Sequence, residues 1–205
     1  MDQAMRSFAD RLYQESRSHD ADQADRLRRY RNLEAESAEL LAVLATAVRP
    51  RRMLELGTSN GYSTLFLADV ARDAGAELIS VDLDEQRTAE ADANLTAARV
   101  RSTVELQTRD AAAVLSAAPG MWWDLIFLDA ERPAYAGYWP ELSRTLTPSG
   151  LLVVDNVLSH ADQVSQFRDL VRADSCVRDT VVPVGAGLLL VVKSHPARRT
   201  IESSP

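Results

Sequence analysis

The 205-residue chain has a single cysteine, Cys176. No internal disulfide can form, which fits a reducing compartment. Long apolar runs are missing. Gly187–Val192, one of the longest, is far below the ~18 residues a membrane span needs. The N-terminus carries no hydrophobic signal core, so a soluble cytoplasmic protein is expected. Basic charge is in deficit: 23 Lys and Arg against 30 Asp and Glu give a net charge of −7. Non-specific nucleic-acid binding rests on basic patches and is disfavoured. No internal repeat or long linker is visible. Apolar residues (46%) and charged residues (26%) are present in ordinary amounts, which excludes a disordered chain, a collagen or a biased-repeat solenoid. The length suits one domain with a short appendage.

Residues 1–33 are polar, with sparse apolar positions (Phe8, Leu12, Leu27, Tyr30, Leu33) that allow one or two helices with a narrow buried stripe. Residues 34–48 are strong helix formers, with Leu40, Leu41, Leu44 and Val48 at helical spacing, and Pro50 ends that helix. Beyond it, short apolar runs alternate with amphipathic stretches. Strands are expected at Arg52–Leu56, Glu77–Val81, Thr103–Gln107, Trp123–Leu128, Leu151–Val154, Ser175–Val182 and Leu188–Val192, and helices near 61–73, 84–99, 110–118, 133–146 and 161–173. Such alternation implies a parallel sheet covered on both faces. The last two runs are separated only by Pro183–Gly187. A link that short makes an antiparallel hairpin. The expected fold is α/β and Rossmann-like: a seven-stranded, mostly parallel sheet closed by a C-terminal antiparallel hairpin, the layout of class I S-adenosylmethionine (SAM)-dependent methyltransferases. We divide the chain into a helical segment packing on the core (1–49), a SAM-binding catalytic domain (50–194) and a flexible tail (195–205).

In open parallel sheets, ligands bind beyond the carboxyl ends of the strands. The first run leads into Glu55-Leu-Gly57-Thr58-Ser59-Asn60-Gly61-Tyr62-Ser63, a glycine turn opening a helix. Its G-x-x-x-G spacing is not that of dinucleotide-binding folds. Glu55 would repel a pyrophosphate but suits the cationic amino-acid end of SAM. Asp82 lies ~25 residues past Gly57, placed for ribose hydroxyls, while Asp84 is read as the cap of the next helix. Asp110 can cap its helix, accept from the adenine amino group, or both. The expected cofactor contacts are Glu55, Gly57, Thr58, Ser59, Gly61, Ser63, Asp82, Leu83, Asp110, Ala111 and Asp129. Asp129 and the pair Asp155-Asn156 follow neighbouring strands. Three hard oxygen donors converging there suit Mg²⁺, with Mn²⁺ or Ca²⁺ as alternatives, rather than zinc, and a cation relieves the repulsion of two close carboxylates.

These strings (E-L-G-T-S-N-G-Y-S-T, V-D-L-D, D-L-I-F-L-D-A-E-R-P-A-Y, L-L-V-V-D-N-V-L and V-P-V-G-A-G-L-L-L) resemble the cation-dependent O-methyltransferases, the family of catechol and caffeoyl-CoA O-methyltransferases and their small bacterial relatives. They run in the family's order across residues 52–193. The resemblance implies that Glu55, Gly57, Ser63, Asp82 and Asp110 contact SAM and that Asp129, Asp155 and Asn156 hold the metal. It also implies a homodimer, as do N-terminal apolar residues with no obvious place on a sheet already covered on both faces. Three departures alter the substrate pocket. The family's D-A-D-K lysine is Arg132. D-N-V-L-W-x-G becomes Asp155-Asn-Val-Leu-Ser-His160-Ala161. G-D-G becomes Gly185-Ala-Gly187.

The expected reaction is methyl transfer to a hydroxyl of a small catechol-like or phenolic acceptor. Arginine stays protonated and cannot be a general base, though Arg132 can stabilise a phenolate. His160 can move a proton or be a surface loop residue. Tyr135, Tyr138 and Trp139 can stack on an aromatic ring or pack a helix face. Three rivals stand beside this reading. One is a tRNA methyltransferase acting on a wobble hydroxyuridine; for it, Arg26-Leu-Arg-Arg-Tyr-Arg31 would touch phosphate, although its acidic neighbours suggest a solvated helix face. The second is a non-catalytic SAM-binding module. The third, a nicotinamide oxidoreductase, is disfavoured by Glu55 and the missing third glycine.

Overall fold

The computed structural model describes residues 1–25 and 28–194; the expected tail, 195–205, lies outside the described residues. Two helices come first, α1 (Gln3–Asp22) and α2 (Ala35–Val48). Asp2 caps α1 by accepting from the Met5 N–H. Left-handed Arg49 (φ 52°) closes α2 just before Pro50. Alternation then begins: β1 (Arg52–Leu56), α3 (Tyr62–Ala74), β2 (Glu77–Asp82), α4 (Glu85–Ala97), β3 (Val104–Thr108), α5 (Ala111–Ala117), β4 (Trp123–Leu128), α6 (Tyr135–Thr145), β5 (Leu146–Val154), α7 (Ala161–Ala173), β6 (Val177–Val182) and β7 (Leu188–Lys193). The seven strands form one sheet in the order β3-β2-β1-β4-β5-β7-β6. The first five are mutually parallel. β7 enters antiparallel between β5 and β6. The seven-stranded expectation with its closing hairpin is met.

Side chains of a strand alternate between faces, and the central strands sort their apolar residues that way. Met53, Leu125, Phe127, Leu151 and Val153 join α1, α2 and α3 in one core layer. Leu54, Leu56, Ile126, Leu128, Leu152 and Val154 join α5, α6 and α7 in the other. β1, β4 and β5 are apolar on both faces because both faces are covered.

Two expectations change. β5 starts at Leu146 rather than Leu151. Leu146 pairs with Trp123 across a register shift, and Thr147 donates to Asp124 at 3.1 Å, so the Thr-Pro-Ser-Gly stretch continues the strand as an irregularity. The N-terminal apolar residues also have a place after all. Met5, Ala9, Leu12, Tyr13, Leu33, Leu41 and Ala45 lie in the first core layer with Leu65 and Phe66 of α3. Burying a leucine there contributes about 1.5–3 kcal/mol. That removes one argument for a dimer, since these residues need no second chain to cover them. Among the described residues, no helix is long and apolar enough to cross a membrane.

Candidate active site

Loops at the carboxyl ends of β1 to β5 open onto one cleft of about 940 Å³, whose remaining wall is the segment 29–33 between α1 and α2. Such placement follows from the parallel sheet.

Glu55 ends β1 but lies beneath the cleft rather than on its surface. It is fully buried and accepts three hydroxyl hydrogen bonds, from Ser63 (2.6 Å), Thr64 (2.5 Å) and Ser80 (2.6 Å). Burial pushes its carboxyl up to about 7, against the pull of those hydroxyls. Among the expected cofactor contacts, Glu55 is therefore placed as the anchor of the turn: it ties β1 to β2 and to the first turn of α3. Gly57 and Gly61 are explained the same way. A Cβ on Gly57 (φ +106°) would stand 2.0 Å from the Asp129 carbonyl oxygen, and one on Gly61 (φ +86°) 3.1 Å from Ala91 of α4. Both glycines are demanded by close backbone approach. Gly57 also lines the cleft and Gly61 does not.

Thr58, Ser59, Ser63, Asp82, Leu83, Asp110, Ala111 and Asp129 all line the cleft. Asp82 accepts from the Ser59 N–H at 2.8 Å and from the Asp84 N–H at 3.0 Å. Asp84 caps α4, accepting from the Gln86 and Arg87 N–H groups, as expected. Asp110 caps α5 through the Ala113 N–H at 2.9 Å while facing the cleft.

The β4 and β5 ends meet as their adjacency requires. The Asn156 amide nitrogen donates to Asp129 at 3.2 Å and to Asp155 at 2.8 Å. Asp155 is 3% exposed, and its Oδ1 is buried without any hydrogen-bond partner. Burial raises the carboxyls of both Asp129 and Asp155, and the Asp129 charge raises Asp155 further. Among the described residues, no three His, Cys, Asp or Glu side chains form a metal-binding group; here the third donor is an amide. Rotating that amide by a half-turn exchanges its nitrogen for its oxygen. Asn156 would then present an oxygen to Asp129 Oδ1 and Asp155 Oδ2, while Asp155 Oδ1 stays unpartnered on the same carboxylate, a donor set that fits a hard divalent cation.

Arg132 is 6% exposed; its Nε donates to Gln163 at 2.9 Å, and its charge holds the Asp129 carboxyl down against burial. His160 lies on the cleft wall, its Nδ1 2.9 Å from the Ser159 hydroxyl. Of the three aromatic candidates, only Tyr138 lines the cleft. Tyr135 is fully buried, donates to the Ala130 carbonyl at 3.0 Å and packs edge-on against Phe167, as does Trp139. Those two hold α6 and α7 together.

Sequence reasoning misses the segment 29–33. It is not a solvated helix face: residues 29–34 are non-helical. Asp20 accepts from the Tyr30 and Arg31 N–H groups (2.7 and 2.8 Å), and the His19 and Tyr30 rings stack at 4.4 Å. Ser59 and Arg87 donate to the Tyr30 and Arg29 carbonyls, and Arg31 donates to Glu131 at 2.6 Å. Arg87 and Arg109 are further lining residues without a motif to mark them, and Tyr62, inside the first string, lines the cleft as well.

The comparisons with known proteins agree with this geometry. A catechol O-methyltransferase of Niastella koreensis is 34% identical over 126 residues, 58% of this chain and 55% of that protein. One from Mycobacterium tuberculosis is 32% identical over 124 residues, 60% and 56% of the two chains. The match thus spans just over half the length of these relatives. Among solved structures, an O-methyltransferase from Klebsiella pneumoniae, described there as putative, superposes with a TM-score of 0.76 at 25% identity, covering 95% of this chain and 91% of that one. The Streptomyces achromogenes O-methyltransferase involved in tomaymycin synthesis, solved with SAM, has a TM-score of 0.76 at 24% identity over 95% and 91%, a likeness of fold. The O-methyltransferase family model matches residues 20–194, and the chain belongs to that family.

Proposed function

We propose that this chain transfers the methyl group of SAM to one hydroxyl of a small catechol-like or phenolic acceptor, assisted by a divalent cation. The observation that carries the reading is that Asn156 joins the Asp129 and Asp155 carboxylates at the edge of the cleft, which Asp129 and Asn156 line together with Asp82 and Asp110. Asp82 is placed to accept from the ribose hydroxyls and Asp110 from the adenine amino group. Ser63 and the Gly57–Ser59 turn would meet the amino-acid end, with the buried Glu55 carboxylate beneath them as counter-charge. Asp129, Asp155 and Asn156 would hold Mg²⁺, Mn²⁺ or Ca²⁺, which when bound supplies positive charge that lowers the pKa of a hydroxyl.

The chain's own residues then do two things. They fix the acceptor oxygen in line with the sulfonium methyl, and they stabilise the oxygen's negative charge as it attacks and S-adenosylhomocysteine leaves. Arg132 serves the second task as a permanent cation. Its position cannot supply a base, and the chain's one lysine, Lys193, is engaged at the far side by the Ser143 and Leu146 carbonyls. The hydroxyl proton passes to water or to His160. We further assign a homodimer, on the family resemblance, and a cytoplasmic location, which suits a lone exposed thiol at Cys176.

Labelled methyl transfer from SAM to catechol, measured with Mg²⁺ and with EDTA, tests the reading. Turnover with Mg²⁺ and none in EDTA supports it and excludes a binding-only module. Full activity in EDTA, with Asp155→Ala unimpaired, overturns the metal-assisted mechanism. A gel shift with tRNA in the absence of catechol turnover would favour the wobble-uridine alternative. A single monomer mass in light scattering contradicts the dimer.

A further inference from the structure

Two adjacent cleft residues carry N–H donors that nothing in the protein accepts. The Nε of Arg31 and the Nδ2 of Asn32 are both buried without a hydrogen-bond partner. Buried donors are ordinarily satisfied, and exceptions call for a cause. Arg31 is held in position by its backbone, in the left-handed region at φ 54°, with its N–H fixed on Asp20. The far end of its guanidinium already binds a carboxylate, Glu131, at 2.6 Å. Glu131 is 61% exposed in its side chain, so this pair is solvent-screened and easily exchanged. The guanidinium also lies at the β4 end of the cleft: its partner Glu131 follows Asp129 by two residues, and both line the cleft with Arg132.

We propose that Arg31 and Asn32 form a subsite for a carboxylate on the methyl acceptor, which makes the substrate class an ortho-dihydroxylated aromatic acid. The subsite rests on the methyl-transfer reading above. A planar guanidinium matches a carboxylate with two parallel hydrogen bonds, and Glu131 occupies one side of that fork in the ligand's absence. The Asn32 amide adds a neutral donor beside it. Arg132 presents a different edge, its Nε being bonded to Gln163.

The carboxylate could instead be that of SAM itself, so the test carries separate arms. Steady-state kinetics with catechol and with 3,4-dihydroxybenzoate compare acceptors that differ by one carboxylate. Wild type should prefer the acid in kcat/KM. Arg31→Gln should lower that preference by about 10- to 100-fold, the loss of a charge-assisted fork, leaving the KM for SAM within about 2-fold. Arg31→Lys should fall between. Glu131→Gln, which removes the competing carboxylate, should raise the preference. An equal effect on both acceptors, or an unchanged ratio, overturns the subsite. So does a raised KM for SAM alone, which would give the carboxylate to the cofactor. If wild type methylates neither acceptor, the methyl-transfer reading fails on its own. Calorimetry of 3,4-dihydroxybenzoate on protein saturated with S-adenosylhomocysteine then decides the subsite: weaker binding in Arg31→Gln supports it, and equal binding overturns it. Thermal melts of each variant confirm folding.

Discussion

The two halves of the cleft treat their carboxylates in opposite ways. On the β1–β3 side, every acidic group has partners within the chain. Glu55 accepts three hydroxyls, each Asp82 oxygen accepts a backbone N–H, and Asp110 caps a helix. On the β4–β5 side, two carboxylates share one amide, and Asp155 Oδ1 has no partner at all. The first half is organised by the fold. In our reading, the second is completed only when positive charge arrives from outside the chain. A buried, unpaired acceptor costs stability, and keeping one beside two cleft-lining residues, Asp129 and Asn156, is the mark of a site that serves something other than folding.

The largest effect should come from removing that unfinished half. Asp155→Ala is expected to lower methyl transfer by about 10³-fold, the several kcal/mol a Lewis acid contributes, with Asp129→Ala similar. Binding of S-adenosylhomocysteine by calorimetry should change by less than about 2-fold, because the other half is untouched. Parallel loss of rate and of cofactor affinity would show that the halves are not separate.

Glu55 gives the next effect, on stability. Its folded-state value of about 7 lies above the ordinary 4.5, so the folded chain holds the proton more tightly than the unfolded one. The stability this contributes is complete below about pH 4.5 and is lost as pH rises through about 7, a change of about 3 kcal/mol. Glu55→Gln keeps hydrogen-bonding capacity but cannot ionise. Without cofactor, its stability relative to wild type should therefore improve by that amount between pH 4.5 and 8. Denaturant titrations at several pH values check this, and a constant difference would show that Glu55 has the same pKa in the folded and unfolded chain.

Asp82→Ala should cost about 1.5–3 kcal/mol of S-adenosylhomocysteine binding, as for hydrogen bonds to a charged group, and leave the acceptor's KM unchanged. A larger loss would mean that the Ser59 and Asp84 N–H groups it holds collapse with it.

What the sequence made legible was local or periodic. Strand–helix alternation gave the sheet, Asp84 gave a cap by its place before a helix, and Asp129 with Asp155-Asn156 gave a cluster because β4 and β5 must be neighbours. What stayed hidden depends on residues far apart in the chain. The wall at 29–33 is held by Asp20, Ser59, Arg87 and Glu131, and no periodicity records that. Gly61 looked like a ligand glycine, yet its reason is Ala91, thirty positions away on α4. That Glu55 is buried beneath the cleft was not legible, because a motif gives residue type and order but not depth. The N-terminal apolar residues seemed homeless because a sheet covered on both faces still leaves room around α3.

His160 should have the smallest effect. It sits on the cleft wall where α7 begins, with Nδ1 beside the Ser159 hydroxyl and its N–H bonded to the Asn156 carbonyl at 3.3 Å. If the divalent cation lowers the acceptor's pKa, the proton is lost to water before transfer and a base adds little. His160→Ala should then reduce kcat by less than about 10-fold and leave the acid limb of the pH–rate profile in place, below the ~100-fold or more that a general base contributes. A loss of that larger size, with the acid limb shifted, would assign the proton to His160 and divide the work of the unfinished half between the metal and an imidazole.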